Sequence, residues 1–162
     1  MRLGILADTH DELDRTRLAI ELLRKEGAEA LIHCGDLASP PVVAVLATLP
    51  SWFVLGNHDA DVVPHLERAA FESGVMCLGW GGVVELAGKR IGVVHGHLSM
   101  DLRHVLNAQP DYLLSGHSYI ASDSMAGSVR RINPGALHRA DEFTVALLNV
   151  EMGDVRFLAV HG

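Results

Sequence analysis

Short apolar runs alternate with amphipathic stretches through the first half of the chain. Continuous apolar runs bounded by polar residues predict buried strands, whereas apolar residues three and four positions apart predict helices. The strands are predicted at residues 2–7, 30–34, 52–55 and 75–78, and the helices at 13–27, 42–49 and 62–73. Because strands and helices alternate, this half predicts a mainly parallel sheet.

The second half is richer in strands. The pattern predicts strands at residues 83–86, 90–94, 112–115, 129–132, 143–150 and 155–160, with one further helix at 100–108. Two facing sheets accommodate this number of strands better than a single open sheet. The fold expected is therefore of the α/β class, with two facing mixed β-sheets flanked by helices.

Size and charge limit the classes of function. A chain of 162 residues predicts a single domain over residues 1–162. No apolar run is long enough to span a membrane, and no leader is evident, so a cytoplasmic protein without a membrane partner is expected. The net charge of -7 and the lack of a basic stripe argue against a long nucleic-acid duplex as partner. The pattern leaves a homo-oligomer open.

Metal-binding side chains follow five of the predicted strands. In parallel sheets ligands collect at the carboxyl ends of the strands, so these segments should meet in one place. Carboxylates, imidazoles and an amide suit Mn, Fe, Co, Ni or Zn better than calcium. The segments are Asp8-Thr9-His10, Gly35-Asp36, Gly56-Asn57-His58-Asp59, His95-Gly96-His97 and Gly116-His117-Ser118-Tyr119.

Each of these segments is weak by itself, but the ordered set resembles the metallophosphoesterase (calcineurin-like phosphoesterase) superfamily. That family shows DxH, GD, GNHD, a later histidine and GHxH in this order. The short length, the HGH segment and the run from Ile132 to Ala136 are similar to the small YfcE-type phosphodiesterases and to the related retromer subunit. The resemblance covers residues 3 to about 160 and implies a four-layer α/β/β/α sandwich.

The resemblance also implies two divalent metal ions, with Mn as the first expectation and Fe, Ni, Co or Zn as alternatives. The first metal would bind Asp8, His10 and Asp36, and Asp36 would bridge to a second metal. The second metal would also bind Asn57, His95 and His117. Paired metals can lower the pKa of a shared water to about 7 and so create a hydroxide nucleophile.

The implied function is hydrolysis of a phosphoester substrate by the metal-bound hydroxide, with diesters preferred to monoesters. His58 would act at the leaving oxygen as general acid or donor, and Asp59 would hold its imidazole. His97 is expected either to brace its loop or to contact substrate. The other histidines, including His33 and His138, are predicted to be surface or packing residues, and Trp80 is predicted to be a core or hairpin aromatic.

One position departs from the family pattern. The closing GHxH motif reads Gly116-His117-Ser118-Tyr119, so a phenol replaces an imidazole of the first metal. If the strand continued, residues 117 and 119 would share a face, and Tyr119 would either ligate as phenolate or hydrogen-bond a ligating water. The second interpretation is preferred. This loss is also the feature that favours an alternative function, a protein-binding scaffold of the retromer-subunit type with a weak or idle metal site.

Overall fold

The computed structural model describes residues 1–162. No helix in it combines the length and the apolar character needed to cross a membrane. The strands are β1 (Arg2–Leu6), β2 (Ala30–His33), β3 (Ser51–Phe53), β4 (Met76–Cys77), β5 (Gly81–Leu86), β6 (Lys89–Val94), β7 (Tyr112–Leu114), β8 (Ser122–Ala126), β9 (Val129–Asn133), β10 (Thr144–Asn149) and β11 (Val155–Ala159). The α-helices are α1 (Leu13–Lys25), α2 (Pro40–Leu46), α3 (Val63–Ser73) and α4 (Ser99–Asn107), and a 3₁₀ helix covers Asn57–Val62.

Two mixed sheets contain all the strands. The first sheet has the order β11-β10-β1-β2-β3-β4, in which β1 to β4 are parallel and β10 and β11 are antiparallel additions. The second has the order β5-β6-β7-β9-β8, with β6, β7 and β9 parallel. The predicted pair of sheets and the parallel wiring of the first half are confirmed.

The buried apolar residues form three layers of packing. Successive side chains of β1 point to opposite faces of the first sheet. Leu6 packs with residues of α1 to α3, whereas Leu3 and Ile5 pack against the second sheet. A smaller cluster around Val105 joins α4 to the outer face of the second sheet. Helices therefore cover both outer faces and the two sheets pack against each other, which is the four-layer arrangement expected.

Two elements differ from the prediction. β8 (Ser122–Ala126) is exposed along its whole length and has no alternating apolar pattern, so only its backbone pairing with β9 defines it. The segment after Gly56, predicted as a loop, is the 3₁₀ helix Asn57–Val62. Other boundaries shift by a few residues, as is usual for element ends. None of these differences moves the strand ends that carry the candidate ligands.

Candidate metal centre

The carboxyl ends of both sheets meet at one site. Asp8 follows β1, Asp36 follows β2, and both are buried. His95 follows β6 of the second sheet and is also buried, with its Nε2 atom 3.8 Å from Asp8 Oδ1 and 3.3 Å from Asp36 Oδ2. Side chains from the two sheets therefore face each other across their shared edge.

Asp36 lies at the middle of this cluster. Its Oδ2 atom is 3.2 Å from His10 Nε2 and 2.8 Å from His58 Nδ1, and its Oδ1 atom accepts the backbone N–H of His58 at 2.9 Å. Burial acts to raise the pKa of Asp36, but the nearby imidazoles of His10, His95 and His58 outweigh it and hold the pKa well below its usual range. Asp36 is thus an ionised carboxylate that several groups share.

Asp8 and His95 each hold one polar atom with no hydrogen-bond partner. Asp8 Oδ1 and His95 Nε2 are both inaccessible to solvent, and although Nε2 lies near Asp36 Oδ2, the angle does not make a hydrogen bond. Buried polar atoms are normally paired, because an unpaired one costs about 1–3 kcal/mol. A carboxylate oxygen and an imidazole nitrogen aimed at the same space fit a cation.

The tautomer of His95 suits ligation. Its Nδ1–H donates to the carbonyl of Cys34 at 2.8 Å, which leaves the lone pair on Nε2 pointing into the cluster. Burial lowers the pKa of His95, but Asp36, the Cys34 carbonyl and Asp8 together raise it above its ordinary value. Burial raises the pKa of Asp8 to about 6, against the lowering effect of His95 and of the His117 N–H. The negative charge at Asp8 therefore lacks compensation, which a cation would supply.

Glycines in the motifs allow the ligands to approach the backbone. A Cβ atom at Gly56 would lie 2.1 Å from Asp36 Oδ1, and one at Gly35 would lie 2.6 Å from His95 Nδ1. Gly35 also has a φ of +100°, which favours glycine. The glycines before Asp36 and Asn57 are thus required by the close contact of neighbouring loops.

The ligand-bearing loops use left-handed backbone at residues other than glycine. Such conformations are uncommon and cluster at functional sites, where the surrounding structure holds them. Positive φ values occur at Asp8 (53°), His10 (45°), Asp36 (62°) and His117 (73°). Four of the six predicted ligands therefore have backbone that turns sharply at the end of a strand.

Asn57 and His117 lie at the exposed rim. The His117 ring is 5.0 Å from the His95 ring, and its backbone N–H donates to Asp8 Oδ2 at 3.0 Å. Asn57 Nδ2 is 3.3 Å from His58 Nδ1. Ligand atoms within 4.8 Å of one another form two triplets that share Asp36: His10, Asp36 and His58, and Asp8, Asp36 and His95. The six predicted ligands thus surround one site, although the triplets are grouped differently from the predicted metal sets.

The predicted role of Asp59 is wrong, because its carboxylate does not contact the His58 imidazole. Both oxygens are buried and accept backbone N–H groups, Oδ2 from Asp36 and Gly56 and Oδ1 from Ala38, at 2.8 to 2.9 Å. Asp59 therefore ties the loop of Asp36 to the start of the 3₁₀ helix. The atom that holds His58 Nδ1 is Asp36 Oδ2.

Tyr119 contacts His10 directly, which neither interpretation of the sequence anticipated. Its hydroxyl is 3.0 Å from His10 Nε2. The strand does not continue as assumed, because β7 ends at Leu114 and both His117 and Tyr119 have positive φ. Burial, together with the charges of Asp8 and Asp36, raises the pKa of Tyr119, so the phenol is neutral.

His97 joins the centre to a neighbouring cavity. Its ring is 5.4 Å from the His95 ring and 5.9 Å from the Trp80 ring. Burial, followed by the charge of His95, lowers the pKa of His97. The cavity, of about 370 Å³, is lined by Asn57, Ala60, Trp80, His97, Leu98 and Asp101. A more polar cavity of about 310 Å³ is lined in part by Gly96 and His117.

Two residues that contact the centre were not predicted from the sequence. His138 stacks on His10 with 4.5 Å between ring centroids, and its Nδ1 is 3.2 Å from Glu12 Oε1. Asn133 donates to the Gly116 carbonyl and to Ser118 Oγ, both at 3.0 Å, and so supports the loop of His117. Asn133 is the last residue of β9 and His138 follows it, so extending the strand-end argument to a sixth strand could have found them.

The fold and this cluster define an α/β protein with a histidine-carboxylate centre between two sheets. The family model of the calcineurin-like phosphoesterase superfamily domain matches residues 1–153. The chain belongs to that family. The match confirms the resemblance to this family that the ordered motifs indicated.

Individual relatives agree with the family. Phosphodiesterase MJ0936 of Methanocaldococcus jannaschii is 28% identical over 144 residues, which cover 83% of this chain and 83% of the relative. A solved structure described as a novel archaeal phosphodiesterase is 26% identical, with a TM-score of 0.88, covering 99% of this chain and 100% of the other.

More distant structures share the fold. YfcE, a phosphoesterase from E. coli, is 20% identical with a TM-score of 0.70, and Vps29 of Entamoeba histolytica is 16% identical with a TM-score of 0.66. Each match covers 99% of this chain and 100% of the other. At these identities the two matches show a shared fold.

Proposed function

We propose that this protein is a metal-dependent phosphoesterase that hydrolyses phosphodiesters in preference to monoesters. The observation that carries the proposal is the pair of buried, unpartnered ligand atoms, Asp8 Oδ1 and His95 Nε2, beside the ionised carboxylate of Asp36. A folded protein bears the cost of such atoms when a ligand satisfies them. Because the chain belongs to a phosphoesterase family, we propose that this ligand is a metal ion that takes part in phosphoester hydrolysis.

Two divalent cations are proposed to share Asp36. Asp8 and His10 would hold the first, and Asn57, His95 and His117 would hold the second. When bound, they would supply an activated water nucleophile and positive charge for the phosphoryl oxygens. The mixed nitrogen and oxygen donors suit Mn, Fe, Co, Ni or Zn, with Mn as the first metal to test.

His58 is proposed to act at the leaving oxygen. Its side chain is 56% exposed, and Asp36 Oδ2 accepts from its Nδ1–H, so the ring is oriented while Nε2 makes no hydrogen bond to the protein. Nε2 is therefore the atom that can donate a proton or hydrogen bond to a departing alkoxide. Asp59 contributes by fixing the loop that carries Asp36 rather than by contacting His58.

Preference for diesters is supported by the open rim and by one relative. Asn57, His58 and His117 are exposed, and two cavities adjoin the centre, one lined in part by Asn57 and His97 and the other by Gly96 and His117. Two cavities can accommodate the two organic groups of a diester, whereas a monoester has only one. MJ0936 is itself named a phosphodiesterase.

The scaffold alternative has weaker support. The likeness to Vps29 is a likeness of fold. A scaffold without metal would have no use for buried, unpartnered Asp8 Oδ1 and His95 Nε2, which could be replaced by apolar groups without loss. The site therefore favours catalysis over scaffolding.

Metal binding and turnover can be tested in parallel. Metal-free protein is titrated by calorimetry with Mn, Ni, Co, Fe or Zn, and hydrolysis of bis-p-nitrophenyl phosphate and p-nitrophenyl phosphate is followed at each stoichiometry. We expect two bound cations and faster diester hydrolysis. Asp36→Asn should abolish both, while His65→Asn, at an exposed position of α3, should change neither. Tight metal binding without turnover of either ester would contradict the proposal.

A further inference from the structure

The cavity beside Asn57 has a composition unlike the metal centre. Trp80, Leu98 and Ala60 give it apolar walls, His97 and Asp101 give it polar groups, and its lining contains no lysine or arginine. We infer that this cavity binds a flat, nitrogen-bearing ring such as a nucleobase, carried by the organic group of the phosphoester. The inference rests on the proposed function and names the substrate class.

Trp80 provides the flat surface. Its side chain is 37% exposed although it lies in the tight turn between β4 and β5, and it lines the cavity. The turn is fixed to the end of β3, because the Leu55 N–H donates to the Gly79 carbonyl at 2.8 Å. Asn57 follows that same strand end. The indole is therefore held at a fixed position relative to a candidate metal ligand.

Asp101 provides a hydrogen-bond acceptor. It lies in the first turn of α4, makes no ion pair, and its Oδ2 atom has no hydrogen-bond partner. A carboxylate at the edge of an aromatic site accepts from ring N–H and amino groups, as in base recognition by Asp and Glu. The same carboxylate repels phosphate. The cavity thus favours an uncharged ring over a second phosphate group.

The cavity is continuous with the candidate centre. Asn57 belongs to both, and the His97 ring lies between the rings of His95 and Trp80, at 5.4 Å and 5.9 Å. A volume of about 370 Å³ is at the small end for ligand sites, which usually measure about 300–1,000 Å³. A single ring system and its sugar suit this space better than a larger group.

Matched substrates test the inference. Nucleoside p-nitrophenyl phosphodiesters carrying adenine, cytosine, guanine or thymine are compared with methyl p-nitrophenyl phosphate, which has the same leaving group and a methyl group in place of the nucleoside. We expect a lower KM for the nucleoside esters. Trp80→Ala should reduce the ratio of kcat/KM between nucleoside and methyl esters by about 5- to 150-fold, the range of base stacking on an aromatic side chain. Trp80→Phe should keep most of this ratio, because an aromatic ring remains.

Two further variants make the result specific. Asp101→Asn should weaken the preference for amino-bearing bases over thymine, because the charge of the acceptor is lost. Phe71→Ala removes an aromatic ring that is 90% exposed on α3 and does not line the cavity, so it should leave the ratio unchanged. Equal rates for methyl and nucleoside esters would overturn the inference while leaving the proposed function intact.

A binding measurement separates the two proposals if no ester is hydrolysed. Trp52 and Trp80 are the two tryptophans of the chain, so Trp52→Phe makes the indole of Trp80 the sole tryptophan signal. AMP and CMP, added to the metal-free and the Mn-loaded protein, should quench this fluorescence to saturation, whereas ribose phosphate should not. Quenching without turnover would support the cavity and contradict the enzyme. Absence of saturable quenching by either nucleotide would overturn the inference.

Discussion

At the level of single residues, Asp36 is both buried and ionised. It is buried, which disfavours charge, yet three histidines surround it and keep it ionised. In the same structure His58 depends on Asp36 for its orientation, since Asp36 Oδ2 accepts from His58 Nδ1 at 2.8 Å. One carboxylate therefore joins the proposed metal site to the proposed leaving-group residue.

Replacing His58 should separate these two functions. We expect His58→Ala to lower turnover by about 10²- to 10⁴-fold, the usual contribution of general acid-base help, while bound metal stays the same. Elemental analysis and steady-state kinetics on bis-p-nitrophenyl phosphate measure both quantities. His65→Ala, at an exposed position of α3, is the matched control. Loss of metal in His58→Ala would show that His58 is a ligand, as its triplet with His10 and Asp36 also permits.

Tyr119 leads to a second prediction at this scale. The neutral phenol contacts His10 Nε2 and is a poor ligand, so the site of Asp8 and His10 should bind metal more weakly than that of His95 and His117. Tyr119→His restores an imidazole there and should tighten the weaker site by about tenfold or more, as seen by calorimetry. Tyr119→Phe is the control. If Tyr119→Phe weakens that site substantially, the phenol itself is a ligand.

At the scale of elements, the site depends on strand ends that turn sharply. Gly35 connects β2 to Asp36 with a φ of +100°, and its missing side chain leaves room for His95. The His95 Nδ1–H bonds the Cys34 carbonyl at the same place. Two strands from different sheets are therefore held together by a turn that only glycine fits.

Gly35→Ala should destabilise the protein more than the same change elsewhere. Gly127 also has a positive φ, +62°, but a Cβ atom added there would have no other atom within 4 Å, so Gly127→Ala costs only backbone strain. The Cβ of Ala at position 35 would also clash with His95, which adds about 1–3 kcal/mol of overpacking. Urea unfolding of the two variants measures this difference. Equal losses would show that the His95 contact relaxes easily.

Elements with a clear apolar pattern could be predicted from the sequence, and elements without one could not. The ends of β1, β2 and β6 could be predicted because buried apolar runs stop at Asp8, Asp36 and His95. β8 could not, since all its residues are exposed and only backbone pairing defines it. The Tyr119 contact could not either, because it depends on a left-handed turn that propensity does not foresee.

At the scale of the whole molecule, polar groups are also buried beneath the site. His33 ends β2, is fully buried, and accepts the Gly35 N–H on Nδ1 at 3.1 Å. Its Nε2–H then donates to Thr9 Oγ1 at 3.0 Å, and Thr9 is placed to donate to the Asp36 carbonyl. This network links the first two ligand loops and holds His33 in its neutral form. The packing role predicted for His33 agrees with this position.

The network predicts how stability depends on pH. Burial, followed by the charge of His95, lowers the pKa of His33 from 6.5 to about 3. Between these values the unfolded chain binds a proton at His33 and the folded chain does not, so the free energy of unfolding falls as pH decreases. By pH 5 this residue should account for a loss of about 2 kcal/mol, at about 1.4 kcal/mol per pH unit.

Comparing the natural chain with His33→Asn and His65→Asn separates the contribution of His33 from those of the other titrating groups. Asp8, whose pKa is raised, acts in the opposite direction: above about pH 4 its ionisation in the unfolded chain opposes folding, so stability rises as pH falls towards 4. We therefore expect urea unfolding of the metal-free protein to show that the natural chain loses stability relative to His33→Asn between pH 7 and 5. Asparagine can still accept the Gly35 N–H but does not titrate. His65→Asn, at an exposed position, should follow the natural chain, and a pH dependence of His33→Asn identical to that of the natural chain would show that His33 takes up a proton in the folded state.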